Sequence, residues 1–223
     1  MLWAGFNDLA QRMISWNKRE QRANVRRVFH ELGQKPGERV LDYGCGTGLF
    51  ATALAESGLT YVGYDIDERM VRYGRWLYSS LAFIHEKADV VKHGPYDYVL
   101  ANCCFHHISD TELETELEFI RRNLAPGGHF VLVDLLAPGE EKSPLHHLCG
   151  VIERGSFVRR HEDHVSLVEA KFDVVRAEVV RIHLLSMSSS PFHSSLGVYV
   201  CRPRPDHQPD ERAAASPDPA GPS

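Results

Sequence analysis

From residue 39 onward the chain alternates two patterns of apolar and polar positions. Short, nearly continuous apolar runs occur at 39–43, 61–64, 82–85, 96–102, 129–135, 174–180 and 197–201. Between them lie longer stretches in which apolar residues recur every three or four positions. Continuous short runs read as strands buried on both faces, and the three-to-four spacing reads as helices with one apolar stripe. Their alternation predicts βαβ units and a parallel sheet, an α/β fold. The clearest helix start is Ser109-Asp-Thr-Glu112, a capping box followed by Leu113, Leu117, Ile120 and Leu124 on one face. A shorter helix is expected over 165–171.

Two segments stand apart from this alternation. Residues 1–35 read as a helical lid, with Leu9, Met13, Trp16, Val25, Val28 and Phe29 at helical intervals and Trp3, Phe6 and Trp16 as apolar anchors. Residues 203–223 carry six of the twelve prolines and almost no large apolar residue. Such a segment cannot bury enough surface to offset its ordering entropy, so a disordered tail is expected. The domain proper is then 36–202.

Composition narrows the classes. A chain of 223 residues accommodates one sizeable core. The formal net charge of −5 disfavours a broad basic face for nucleic acid. Five cysteines without a repeating spacing indicate reduced thiols and a cytoplasmic protein. No secretory signal or membrane-span pattern is present in the sequence. A monomer or homodimer acting on a small molecule is the expectation.

The chemistry concentrates at the strand ends. Val40-Leu41-Asp42-Tyr43-Gly44-Cys45-Gly46-Thr47-Gly48 runs a strand into a glycine-rich turn. Asp65 closes the next strand about twenty residues later, where a carboxylate can accept from both hydroxyls of a ribose. A dinucleotide fingerprint requires G-x-G-x-x-G, but here the third glycine comes one residue early and Leu49 occupies its place. A nicotinamide dehydrogenase is therefore disfavoured.

The pattern Asp42-x-Gly44-x-Gly46-x-Gly48 resembles motif I of the class I S-adenosylmethionine-dependent methyltransferases. Its order and spacing match over about residues 36–135, with Ala88-Asp89-Val90 after the third strand and Leu124-Ala-Pro-Gly-Gly128 before the fifth. The nearest likeness is to the ubiquinone-biosynthesis-like group of small-molecule methyltransferases. The resemblance implies a Rossmann-like three-layer sandwich with a mostly parallel sheet of about seven strands, and S-adenosyl-L-methionine as cofactor. It further implies that Gly44, Gly46 and Gly48 pass under the methionine part, Asp42 holds its ammonium, and Asp65 its ribose, with Ile66 beside it. Asp89 would take the adenine amine, the Val90 backbone N–H a ring nitrogen, and Asn102 completes the cofactor-binding set.

The fourth strand ends in Asn102-Cys103-Cys104-Phe105-His106-His107, beside the expected position of the transferring methyl. Amine-methylating relatives carry Asn-Pro-Pro here; the cysteines in place of the prolines argue against adenine or glutamine amino groups. A hydroxyl acceptor in a biosynthetic or sugar and cell-surface pathway is expected, and an N- or C-methylated metabolite or a non-catalytic cofactor-binding scaffold remains open. His106 is the first candidate for general base, being nearer the strand end; His107 and then His161 are the others. His161-Glu162-Asp163-His164 also reads as a solvated helix start, its acids favoured by the helix dipole. His146 and His147 fall in the region that usually covers the acceptor. No metal site is expected: Cys103, Cys104, His106 and His107 lack the spacing of a structural site, and Asp134 alone stands at the height of a metal-dependent carboxylate. The acceptor-defining segments, roughly 1–35, 136–165 and 181–196, carry no assignable motif, and 186–191 reads as a flexible loop.

Overall fold

The computed structural model describes residues 18–137, 157–183 and 193–204. Trp3, Phe6, Trp16, His146, His147, the run 186–191 and all but the first two positions of the proline-rich tail lie outside the described residues. In chain order the elements are α1 (Lys18–Glu31), β1 (Arg39–Tyr43), α2 (Ala51–Ala55), β2 (Thr60–Tyr64), α3 (Glu68–Leu77), β3 (Ala82–Ile84), α4 (Lys87–His93) and β4 (Tyr96–Asn102). A 3₁₀ turn (Phe105–His107), α5 (Asp110–Asn123), β5 (Leu124–Leu135), α6 (His161–Glu169), β6 (Phe172–His183) and β7 (His193–Pro203) follow.

The strands form one seven-stranded sheet in the order β3-β2-β1-β4-β5-β7-β6. The first five are parallel, and β7 runs antiparallel between β5 and β6. Apolar runs without alternation are what a sheet covered on both faces requires. Val40, Leu100, Val131 and Val200 pack on one face with Val25, Val28 and Phe29 of α1 and Leu54 of α2. Leu41, Val99, Leu132 and Tyr199 pack on the other with Leu113, Leu117 and Ile120 of α5 and Val168 of α6. The result is the Rossmann-like three-layer sandwich. Phe29 lies 5.2 Å from Tyr98, ring to ring, which seats α1 over the middle of the sheet.

Three boundaries differ from the sequence pattern. Leu124, expected on the face of α5, is the first residue of β5 and pairs with Tyr96. Its ψ of 140° takes it out of the helix two residues before Pro126, which could not continue it. β6 and β7 exceed their apolar cores because they pair with each other from Phe172↔Pro203 to His183↔His193. The domain accordingly continues to Arg204, whose Nε donates to Asp173 at 2.9 Å. The helix expected over 165–171 begins at His161. The capping box of α5 is present: Ser109 Oγ accepts from the Glu112 N–H at 3.4 Å, and Glu112 Oε2 accepts from the Ser109 N–H at 3.2 Å.

Candidate functional site

The carboxyl ends of β1, β2 and β4 meet at the glycine loop. The Gly44 and Cys45 N–H groups both donate to the Tyr64 carbonyl, at 2.8 and 2.9 Å, so the loop is tied to the end of β2. Asp65 completes that attachment: Oδ2 accepts from the Gly46 N–H at 2.8 Å and Oδ1 from the Asp67 N–H at 2.9 Å. Each oxygen keeps a further lone pair for another donor. Burial pushes the Asp65 carboxyl up from its ordinary value, against the pull of the two backbone donors. Ile66 follows with 84% of its surface exposed, an apolar face at the strand exit.

Gly44, Gly46 and Gly48 all have positive φ (74°, 54° and 84°), but their surroundings differ. A Cβ at Gly44 would meet the Cys104 side chain at 2.7 Å, and one at Gly48 the Phe83 ring at 2.6 Å. At Gly46 a Cβ would meet nothing within 4 Å among the described residues. The first and third glycines thus permit packing behind the loop, while the second leaves its front open to a ligand. Cys104 acts as the small filler expected of it, and its Sγ donates to the Tyr43 carbonyl at 3.4 Å.

Asp42, two residues before the first glycine of the loop, is 2% exposed. Burial is the main reason its carboxyl is pushed up to about 7; the Tyr61 hydroxyl, donating to Oδ2 at 2.9 Å, opposes this, and nearby Asp65 adds to it.

The adenine contacts expected of Asp89 and Val90 are not those the fold presents. Both residues lie inside α4: the Val90 N–H donates to the Glu86 carbonyl at 3.3 Å and its side chain is fully buried. The Asp89 carboxylate is held by Lys92 Nζ at 2.7 Å, which depresses its pKa. The exit of β3 carries His85 and Glu86 instead, with Nε2 and Oε1 3.3 Å apart. The run Ala82–Ile84 ends the strand earlier than the motif spacing suggested, so the acid at the strand end is Glu86.

Beyond β4 the chain turns through Cys103 at a φ of 51°, and this sends the two histidines to different places. Asn102 faces α1, on the side of Val133 and Leu135, where its Oδ1 is buried without a hydrogen-bond partner among the described residues. It opens onto a crevice lined by Val25, Val28, Asn102, Val133, Ile182 and Leu196, among others. His106 goes to the opposite face of the sheet. It is 2% exposed, and its Nδ1 lies 2.6 Å from Oδ1 of the fully buried Asp134. The favoured candidate base is therefore enclosed and turned away from the Asn102 crevice.

His164 joins this buried group and is no solvated helix start: it is 1% exposed, with Nε2 3.9 Å from Asp134 Oδ2. His161 is also engaged on that face, its Nδ1 3.0 Å from the Tyr199 hydroxyl. His107 alone of the three candidates stays exposed beyond the strand exit. Partial burial and the neighbouring His106 ring, 4.2 Å away, lower its pKa and favour the neutral imidazole.

Sequence reasoning missed Arg159 and Tyr61. The Arg159 guanidinium, 6% exposed, donates to the carbonyls of Phe105, Phe157 and Ile108 and so fixes the His106–His107 turn. Tyr61 is placed by the parallel register, which pairs Arg39 with Thr60 and so sets Tyr61 one step from Asp42 on the same face. For Arg159 no local pattern pointed across the intervening residues. Among the described residues no helix is long and apolar enough to cross a membrane.

A family model described as a methyltransferase domain matches residues 13–176. An uncharacterized methyltransferase of Synechocystis sp. is 31% identical over 117 residues, 49% of this chain and 55% of that protein. A demethylmenaquinone methyltransferase of Beutenbergia cavernae is 31% identical over 115 residues, 51% of this chain and 47% of that one. The chain thus spans about half the length of the curated relatives it matches. Among solved structures, magnesium protoporphyrin IX methyltransferase from Synechocystis with bound SAM has a TM-score of 0.61 at 19% identity. That alignment covers 86% of this chain and 83% of the other, and describes a shared fold.

Proposed function

The chain belongs to the methyltransferase-domain family, and on that premise we propose that it is an S-adenosylmethionine-dependent enzyme that methylates a hydroxyl of a small molecule. The observation that carries the cofactor reading is the Asp65–Gly46 pair: the acid at the end of β2 is bound to the open glycine of the loop. The residues fit the group. Asp65 offers acceptor oxygens for a ribose, exposed Ile66 offers an apolar face for a flat ring, Gly46 admits close approach, and Asp42 is a buried carboxylate for an ammonium. Glu86 at the β3 exit takes the place earlier given to Asp89 as acceptor for an exocyclic amine.

When bound, S-adenosylmethionine supplies an electrophilic methyl group on a sulfonium, already furnished with a good leaving group. What remains for the chain is to position an acceptor, exclude water and hold a proton. Positioning can account for roughly 7–11 kcal/mol of a barrier. Among the described residues Asn102 Oδ1 has no partner, and an O–H donor on the acceptor would suit it. His107, exposed and with its neutral form favoured, is the candidate to take the hydroxyl proton, a role worth ~10²–10⁴-fold. His106 and Asp134 are assigned to holding the turn that presents it.

One observation favours a second reading. An amide oxygen with no partner among the described residues would accept as readily from an amine N–H, so N-methylation of a small metabolite is the runner-up. Calorimetry with S-adenosylmethionine and with NAD tests the first claim, and binding of neither would leave a scaffold. Asp65→Ala should weaken S-adenosylmethionine by about 1.5–3 kcal/mol, the range for bonds to a charged group. Turnover against matched alcohols, phenols and amines then separates the acceptors; a His107→Gln enzyme that keeps parental rates on hydroxyls would remove the base assignment.

A further inference from the structure

Asp42 of β1 stands opposite Gly63 of β2. A Cβ at Gly63 would come within 2.7 Å of the Tyr61 hydroxyl and 2.9 Å of Cys45 Sγ. Glycine at this position therefore leaves the space through which the Tyr61 hydroxyl reaches Asp42 Oδ2, at 2.9 Å. Both side chains are buried, Tyr61 at 4% and Asp42 at 2% exposure.

Among the described residues, the ionisable groups around Asp42 offer it no positive charge. Tyr61 faces it from β2, Cys45 from the loop, Asp65 from the end of β2 and Cys104 from beyond β4. From α1, the Arg22 guanidinium reaches toward the loop but is committed to the Leu49 carbonyl, its Nε donating at 2.9 Å. Among the described residues Asp42 forms no ion pair. A buried carboxyl with one hydroxyl donor and a second acid nearby is costly to ionise until a cation arrives. Burial, reinforced by Asp65, accordingly places its pKa at about 7.

We propose that Tyr61 is a positioning residue for Asp42, and that capture of the cofactor's ammonium drives a proton off Asp42, making affinity pH-dependent through the amino-acid end of the ligand alone. In this step the Asp42 O–H bond breaks, the proton passes to solvent, and the carboxylate so formed pairs with the ammonium. The Tyr61 hydroxyl holds Oδ2, which leaves Oδ1 for the incoming charge. The inference rests on the S-adenosylmethionine reading of the site.

The test compares two ligands by equilibrium binding between pH 6 and pH 8. S-adenosylhomocysteine carries the ammonium, and 5′-methylthioadenosine is the nucleoside end without the amino acid. For an acid of pKa about 7 that must ionise, S-adenosylhomocysteine affinity should rise about tenfold across this range and level off above it. Affinity for 5′-methylthioadenosine should stay flat. Asp42→Asn should abolish the pH dependence. Tyr61→Phe should weaken S-adenosylhomocysteine about 3- to 10-fold, as for a lost hydrogen bond. It should also move the pH midpoint upward and leave 5′-methylthioadenosine unchanged. Equal pH slopes for the two ligands on the parent protein would overturn the proposal. So would a Tyr61→Phe variant that loses both ligands equally, since that is the mark of a structural role. If the parent binds neither ligand, the cofactor reading itself falls and this inference with it.

Discussion

Replacing Arg159 with alanine should be among the most destabilising single changes in this protein. Its guanidinium Nη1 donates to the carbonyls of Phe105 at 2.9 Å and Phe157 at 3.1 Å, and Nη2 to that of Ile108 at 2.7 Å. Nε and Nη2 also share Asp110 Oδ1, at 2.8 and 2.6 Å. The Asp110 side chain is 72% exposed, so that arm contributes under about 1 kcal/mol. The carbonyls matter more. Bonds from a charged donor are worth about 1.5–3 kcal/mol each; truncation takes that donor from the part-buried Phe157 and Ile108 carbonyls, while the Phe105 carbonyl keeps the Ile108 N–H at 3.0 Å. Water entering the space vacated by the side chain would recover part of that loss. The expected cost is about 3–4 kcal/mol, which in a chain of this size lowers the melting temperature by roughly 10 °C. Arg159→Lys should recover less than half, because an ammonium cannot reproduce the planar fork. Urea unfolding followed by circular dichroism measures both, with an unchanged m-value showing that stability alone has moved. A loss below about 1 kcal/mol, or a lysine variant equal to the parent, would show that the turn is held by other contacts.

The glycine loop predicts a split between stability and binding. Gly46→Ala, with open space around the new Cβ, should cost only the ~1–2 kcal/mol of a positive φ and should reduce cofactor affinity. Gly48→Ala, which meets the Phe83 ring at 2.6 Å, should lower the melting temperature further than Gly46→Ala does; the opposite ranking would refute the division of roles. Glu118 bridges Arg121 and Arg122, and its hydrogen bond to Arg121, ahead of that to Arg122, depresses its pKa to about 2. A depressed carboxylate stabilises the fold above its unfolded pKa, and that contribution is lost as pH falls through the folded value. Glu118→Gln should therefore cost about 1 kcal/mol at pH 7, after discounting for partial exposure, and little near pH 2.

What could be read from the sequence was whatever is local. Strands buried on both faces need continuous apolar runs, so β1 to β4 were visible as such, and their alternation with helical spacing implied a parallel sheet. The capping box at Ser109 and Glu112 is a contact between residues three apart, and it was found where expected. The loop and its acid were also legible, since glycine spacing and a strand-end carboxylate are each properties of a few consecutive residues. Tertiary structure decided whatever depends on which face a side chain takes or how far a strand extends. His106 and His107 are neighbours in sequence, yet the positive φ at Cys103 and the Arg159 fork bury one against Asp134 and leave the other exposed. Asp89 lost its expected place because β3 ends at Ile84 and α4 begins at once, a boundary that no periodicity marks. The Asp42–Tyr61 bond exists only through the register of two parallel strands. Apolar pattern is written residue by residue, but the approach of a charge to its partner is set by packing between segments distant in the chain. Accordingly, the glycine loop and its strand-end acid could be read from the chain itself, and the burial and partners of the ionisable groups around them could not.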